Sequence, residues 1–205
     1  MKKNYISNSR ESVRMFKNDF LEGLSKIHFA VPLFIFVPAI IFFIYLAFSK
    51  GITVISFAGF FALGLAVWTA TEYVLHRYIF HYVPKSNWGL RLHFIFHGVH
   101  HDYPRDSKRL VMVPTVSIPL AALFYGLFSL MIHNQNLWSF FAGFLLGYLV
   151  YDMMHYALHH VNFKSAFWKK IKDHHMLHHY ADPSKGYGVS TKIWDTILDS
   201  DFIKK

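Results

Sequence analysis

The sequence predicts an all-α integral membrane protein: four transmembrane helices with a histidine-rich dimetal site at one membrane face. Three observations predict it. The chain of 205 residues is 54% hydrophobic and 19% aromatic but only 16% charged, whereas soluble domains average about 45–50% apolar and about 25% charged. It contains four long apolar runs almost free of charge. It also carries 15 histidines, most of them gathered beside the ends of those runs. Cysteine is absent, which excludes a disulfide framework and any thiolate metal site. The net charge of +9 is dispersed beside the apolar runs rather than collected in a tail, so the expected partner is an anionic bilayer surface and not nucleic acid.

Residues 1–30 are polar and mildly basic and form a cytosolic N-terminal segment; they hold no short cleavable apolar core, so no secretory signal peptide is expected. Residues 31–205 are expected to form a single membrane-embedded domain. Its first span, 31–48, reads VPLFIFVPAIIFFIYLAF, close to the roughly 20 apolar residues that cross a bilayer as a helix. Pro32 suits a first turn, and Pro38 should kink the interior. After the Ser49-Lys50-Gly51 turn, a second span covers 52–75, with Glu72 as its first charge. A polar segment, 76–110, leads to a third span at 111–132, and a His133–Asn136 turn leads to a fourth at 137–158. Gly59, Gly64, Gly143 and Gly147 supply small surfaces for close helix approach. Of the 21 Lys and Arg, six lie in 1–30, six in 76–110 and eight in 160–205, leaving only Lys50 on the other side. By the positive-inside rule both termini are cytoplasmic.

That topology brings ten histidines to one membrane face. They occur as His76 and His81, then His97, His100 and His101, then His155 and His159, then His175, His178 and His179. Imidazole is the commonest side-chain metal ligand, and residues three or four apart share a helix face. His155 and His159 sit inside or at the edge of an apolar span, where an ionisable group is costly and marks function. His76 and His81 are different: five steps of a continuous α-helix leave them about 140° apart, and alone they read as interfacial residues ending a span. His28 and His133 read as interfacial rings. His160 and His174 neighbour other histidines but point roughly 100° away. His93, four before His97, shares its helical face and is a candidate for direct contact with the centre.

Ten nitrogen donors exceed one ion, and they exceed a hydrolytic zinc site with its three protein ligands. Split over two ions they leave about five each plus an open position. Ligand type does not choose among Zn, Cu, Fe and Ni, but two redox-active irons with room for dioxygen explain the number; zinc, which outranks Fe(II) in affinity, would give an intact and inactive protein. Glu72, four before His76, and Asp152, three before His155, are expected to orient those imidazoles. Tyr151 and Tyr156 flank the fourth-span pair. Arg105, Lys108 and Arg109 read equally as a head-group or carboxylate site and as anchors at the membrane surface.

The four histidine boxes, the run HGVHHDYPRDSKRLVMVPT (97–115), the element YDMMHY (151–156), and HHMLHHY followed by GYGVSTKIWD (186–195) resemble the fatty acid hydroxylase and sterol desaturase superfamily over roughly residues 65–200, most closely its fatty acid 2-hydroxylase branch. The resemblance implies a four-helix membrane fold with a cytosolic helical cap enclosing the dimetal site, in which His76, His81, His97, His100, His101, His155, His159, His175, His178 and His179 hold the two metals. It further implies a monooxygenase that uses dioxygen and two electrons to hydroxylate the carbon next to an acyl carbonyl. The substrate would be a free fatty acid or a lipid-bound acyl chain. Eukaryotic members of that branch often carry an N-terminal haem domain with a His-Pro-Gly-Gly signature; residues 1–30 are too short for one, so an external electron donor, a separate electron-transfer protein, is expected. The compact form fits a bacterial inner membrane. Three readings compete: carotenoid or sterol oxidation or desaturation on the same centre, a metal transporter or sensor, and a bis-histidine haem cytochrome. Transport would place ligands near the bilayer midplane, and haem would leave most of the ten histidines idle.

Overall fold

The computed structural model describes residues 6–202; the outer ends of the expected cytosolic segment (1–5) and of the expected membrane domain (203–205) lie outside the described residues. Regular structure among the described residues is entirely helical. In chain order the helices are α1 (Asp19–Leu24), α2 (Val31–Ser49), α3 (Val54–Val74), α4 (Asn87–His93), α5 (Val99–Asp102), α6 (Pro114–Ser129), α7 (Asn134–His160), α8 (Ala166–Tyr180) and α9 (Ile193–Ile197). Two π-helical turns interrupt the regular winding: Leu75–Phe80 prolongs α3, and Phe94–Gly98 joins α4 to α5.

Among the described residues, three helices are long and apolar enough to cross a membrane: Val31–Ser49, Val54–Phe80 and Asn134–His160. The expected third span, 111–132, forms a helix over only 16 residues, short of the roughly 20 that span a bilayer. Proline explains its late start. Pro114 disfavours the α region for the residue before it, and Val113 is extended at φ −66°, ψ 146°.

Helix α7 is the axis of the molecule, with most of its residues buried and with α2 and α3 packed along it. Glycine permits that contact. A Cβ on Gly64 would lie 2.0 Å from the Phe140 carbonyl, and one on Gly143 would lie 2.0 Å from that of Phe61. Gly59 faces open space and has no such role. Ser139 Oγ donates to the Phe57 carbonyl at 2.8 Å across the same seam. Below it, the Trp68 ring meets Phe144, Tyr148 and Tyr151 at 5.2, 5.3 and 5.8 Å.

The N-terminal segment is tied to the 102–109 stretch. The Ser7 N–H donates to Asp102 O at 2.7 Å and Ile27 N–H to Lys108 O at 2.9 Å. Ser12 Oγ donates to Asp106 at 2.6 Å. Arg109 is buried, where it pairs with Glu22 at 2.7 Å and donates to the Val13 carbonyl. Its charge is therefore met inside the protein, which settles its reading against a surface anchor.

Candidate metal centre

The ten imidazoles converge because each box solves its own winding problem. On α7, His155 and His159 are one turn apart; on α8, His175 and His179 repeat that spacing beside His178. His76 and His81 overturn the expectation that they point apart. The π-turn closes hydrogen bonds between residues five apart, the His81 N–H donates to His76 O at 3.1 Å, and the two rings face each other at 4.9 Å. The second π-turn has the opposite consequence for His93. It begins at Phe94 and contains His97, so the α-helical face the two histidines would share is lost, and His93 stands outside both imidazole groups.

Two groups of five form, each with ligand atoms within 4.8 Å of one another: His76, His81, His97, His101 and His178, and His100, His155, His159, His175 and His179. In the first group Nε2 atoms meet Nε2 atoms: His76 to His97 at 3.2 Å, His81 to His76 at 3.2 Å, His97 to His81 at 3.1 Å, His101 to His97 at 3.0 Å and His178 to His81 at 3.0 Å. Protons do not satisfy that mesh. His76 Nδ1 donates to Tyr187 O at 2.5 Å and His178 Nδ1 to Lys185 O at 2.6 Å, which leaves both Nε2 atoms as acceptors; the Nε2 atoms of His76, His81 and His97 lie within 3.2 Å of one another, and in such a triangle at least one pair sets donor against donor or acceptor against acceptor. Two nitrogens held at about 2.0–2.1 Å from one ion, at angles of about 90–109°, stand roughly 2.9–3.4 Å apart. The spacing fits a cation.

The second group gives the same answer through its unmet needs. His159 Nε2 and His175 Nε2 lie 2.9 Å apart. Both nitrogens of His100 and of His179, Nε2 of His155 and Nδ1 of His175 are buried with no hydrogen-bond partner. Each orphaned buried group costs about 1–3 kcal/mol, and a shared ion removes that cost for the nitrogens it binds. The groups adjoin: the His101 and His179 rings stack at 4.2 Å. Burial, reinforced by neighbouring imidazoles, holds His97, His100, His101, His175 and His179 well below the usual histidine range, and burial brings His178 down to about 4. These rings are neutral, the form that binds metal.

The expected carboxylate partners act differently from expectation. Glu72 does not reach His76. It accepts from Val189 N–H at 2.7 Å, from Ser190 N–H at 2.9 Å and from the Ser190 hydroxyl, and so fixes the loop whose Tyr187 carbonyl holds His76. Asp152 accepts from Met112 N–H at 3.2 Å and from Tyr148 at 3.1 Å rather than from His155. Tyr151 stacks on His155 at 5.7 Å, whereas Tyr156 packs on Phe29 and His160. Sequence reasoning assigns no role to Asp195, which is buried and accepts from Tyr187 N–H, Gly188 N–H and Ser200, each at 2.8 Å. His174 lies 3.4 Å from it. Its one sequence signal is a place in the run GYGVSTKIWD, because its partners lie in irregular chain with no periodicity.

An apolar cavity of about 350 Å³ opens on the centre, where its walls include His97, His100 and His155, with Met15, Leu24 and Val116 on its other sides. Crossing-length helices, two groups of buried neutral imidazoles and an oily chamber against them define a membrane protein with a metal-binding centre open to an apolar cavity. The family model for fatty acid hydroxylases matches residues 61–200, and the chain belongs to that family. It is 36% identical to the dihydroceramide fatty acyl 2-hydroxylase FAH2 of Arabidopsis thaliana, over 92% of this chain and 79% of that one. It is also 36% identical to the fatty acid 2-hydroxylase of Homo sapiens, over 89% of this chain and 55% of the relative. The solved structure of full-length scs7p, in which only the hydroxylase domain is visible, matches with a TM-score of 0.86 and 36% identity, covering 92% of this chain and 71% of that one.

Proposed function

We propose that this hydroxylase is a dioxygen-dependent di-iron monooxygenase that 2-hydroxylates fatty acyl chains, free or lipid-bound, with electrons from a separate protein. The observation that carries the reading is the apolar cavity ending on His97, His100 and His155, backed by relatives named for 2-hydroxylation of fatty acids and dihydroceramide acyl chains. When bound, the two metals supply the activation of dioxygen. The chain's own residues do the rest. Val111, Met112, Val113 and Val116 offer the acyl tail an apolar wall and exclude water. Tyr151 fixes the His155 ring by stacking, and Glu72 and Asp195 hold the loop that fixes His76. An ångström-scale error in where the tail rests costs orders of magnitude in rate, so wall shape decides which carbon reacts. Ten imidazoles in two fives favour two ions; iron supplies the redox chemistry, and zinc substitutes without it.

In this reading α6 makes a fourth crossing, completed at its ends by the apolar residues 111–113 and 130–132. Both termini and the helical cap then lie on the cytoplasmic side of a bacterial inner membrane, because Lys50 alone of 21 basic residues falls opposite. The test is expression in a host that makes no 2-hydroxy acyl lipids, with lipid mass spectrometry and metal analysis. The expected result is new 2-hydroxy acyl chains and about two irons per chain. Products oxidised at another carbon, or desaturated, would move the assignment to another branch.

A further inference from the structure

Apolar space beside the centre does not end with the large cavity. A much smaller cleft of about 20 Å³, lined by Trp68, Ser117, Ala121, Phe124 and Tyr148 among others, lies between α3, α6 and α7. Met112 is the single described residue that lines both spaces. Helix α7 serves as a ruler for their order. His155 stands at the metal end, Tyr151 and Asp152 line the cavity, and Tyr148, Leu145 and Phe144 line the cleft. At a rise of 1.5 Å per residue, Phe144 lies about 16 Å from His155 along the axis. Asp152 pins Met112 at the boundary: one oxygen accepts from the Met112 N–H at 3.2 Å, and the other accepts from Tyr148 at 3.1 Å. The cleft beyond has room for little more than one water-sized group. An acyl chain reacting beside His155 and extending down α7 therefore meets the Met112 side chain between a roomy chamber and a nearly closed one.

We propose that Met112 is the chain-length stop of this enzyme, the residue that sets how many carbons fit beyond the hydroxylated position. The inference rests on the acyl-hydroxylase reading above. Truncating the thioether joins the cleft to the cavity, and enlarging it shortens the cavity. A methionine suits a stop that admits some range, because its unbranched side chain fills irregular gaps.

The test uses the full chain in membranes supplied with a mixture of saturated fatty acids from medium to very long, with 2-hydroxy products resolved by length. Met112→Ala is expected to raise the ratio of longest to shortest products about tenfold or more, and Met112→Trp to lower it by a similar factor, the range that one or two methylenes command in an apolar pocket. Unaltered protein that yields no 2-hydroxy product overturns the parent reading. Variants that yield 2-hydroxy products with an unchanged length distribution overturn the stop alone. If alanine and tryptophan fail to assemble, as judged by metal content, the milder changes Met112→Val and Met112→Phe decide: a shift to longer products in the first and to shorter in the second supports the stop, and unchanged distributions overturn it.

Discussion

The two imidazole groups hold the same number of the same side chain and are built in different ways. The group of His100, His155, His159, His175 and His179 is mainly a product of helical register: two i,i+4 pairs face each other from α7 and α8, and His100 closes the set. The group of His76, His81, His97, His101 and His178 draws its first pair from a π-turn and clamps two of its rings from outside with the carbonyls of Tyr187 and Lys185. The register-built rings have no such clamp among the described residues. In the other group a C-terminal loop supplies one, to His76 of the π-turn and to His178 of α8 alike, and Glu72 and Asp195 hold the 187–190 part of that loop. Both groups reach the cavity, the register-built one through His100 and His155 and the other through His97.

If the comparison is right, the largest effect comes from emptying the register-built group. His159→Ala should abolish turnover and lower metal content to about one ion per chain while helical content and membrane insertion persist; retained activity would remove His159 from the ligand set. Next come the clamp residues. Asp195→Asn and Glu72→Gln should weaken metal retention roughly 10–100-fold at the first group only, seen as a biphasic chelator titration. A single phase at both groups would erase the distinction drawn here.

A change that spares both groups provides a control. Gly143→Ala puts a Cβ 2.0 Å from the Phe61 carbonyl, a clash with rigid backbone worth about 1–3 kcal/mol. The variant should melt earlier in detergent and release both ions together. The smallest effect concerns the N-terminal segment, a strap whose Met15, Phe16 and Leu24 line the cavity and whose Glu22 pairs with Arg109. Burial raises the Glu22 pKa, but the hydrogen bond from Lys26, the N–H groups of Phe16 and Met15 and the charge of Arg109 overcome it and lower it to about 2. A carboxylate with a depressed folded-state pKa stabilises fully above its ordinary value near 4.5 and loses that contribution as pH falls toward 2. The stability gap between unaltered protein and Glu22→Gln should therefore narrow from pH 6 to about pH 3; a gap that stays constant would remove Glu22 from the strap's stabilisation.

The membrane class, the apolar helices and the list of clustered histidines were legible in the sequence because each is local. Composition is a sum over residues, hydrophobic runs are contiguous, and the i,i+3 and i,i+4 spacings of 97–101, 155–159 and 175–179 need only one helix to express them. The 76–81 spacing was misread for the same reason: a local rule for α-helix was applied where the chain winds as a π-turn. The third apolar run forms a shorter helix than its hydropathy suggests, because hydropathy continues through Val111–Val113 while Pro114 keeps Val113 out of the α region.

The sequence by itself determined that this is an oily helical protein whose imidazoles gather at one end of its apolar runs. Only the tertiary structure decided how they are shared. His100 and His101 are chain neighbours that belong to different groups, as are His178 and His179, because adjacent residues on a helix point about 100° apart and each direction has its own partners waiting on α7, α8 and the turn after α3. The clamp on His76 depends on Tyr187, 111 residues away. No local period carries a contact of that range; it exists only once the helices have packed.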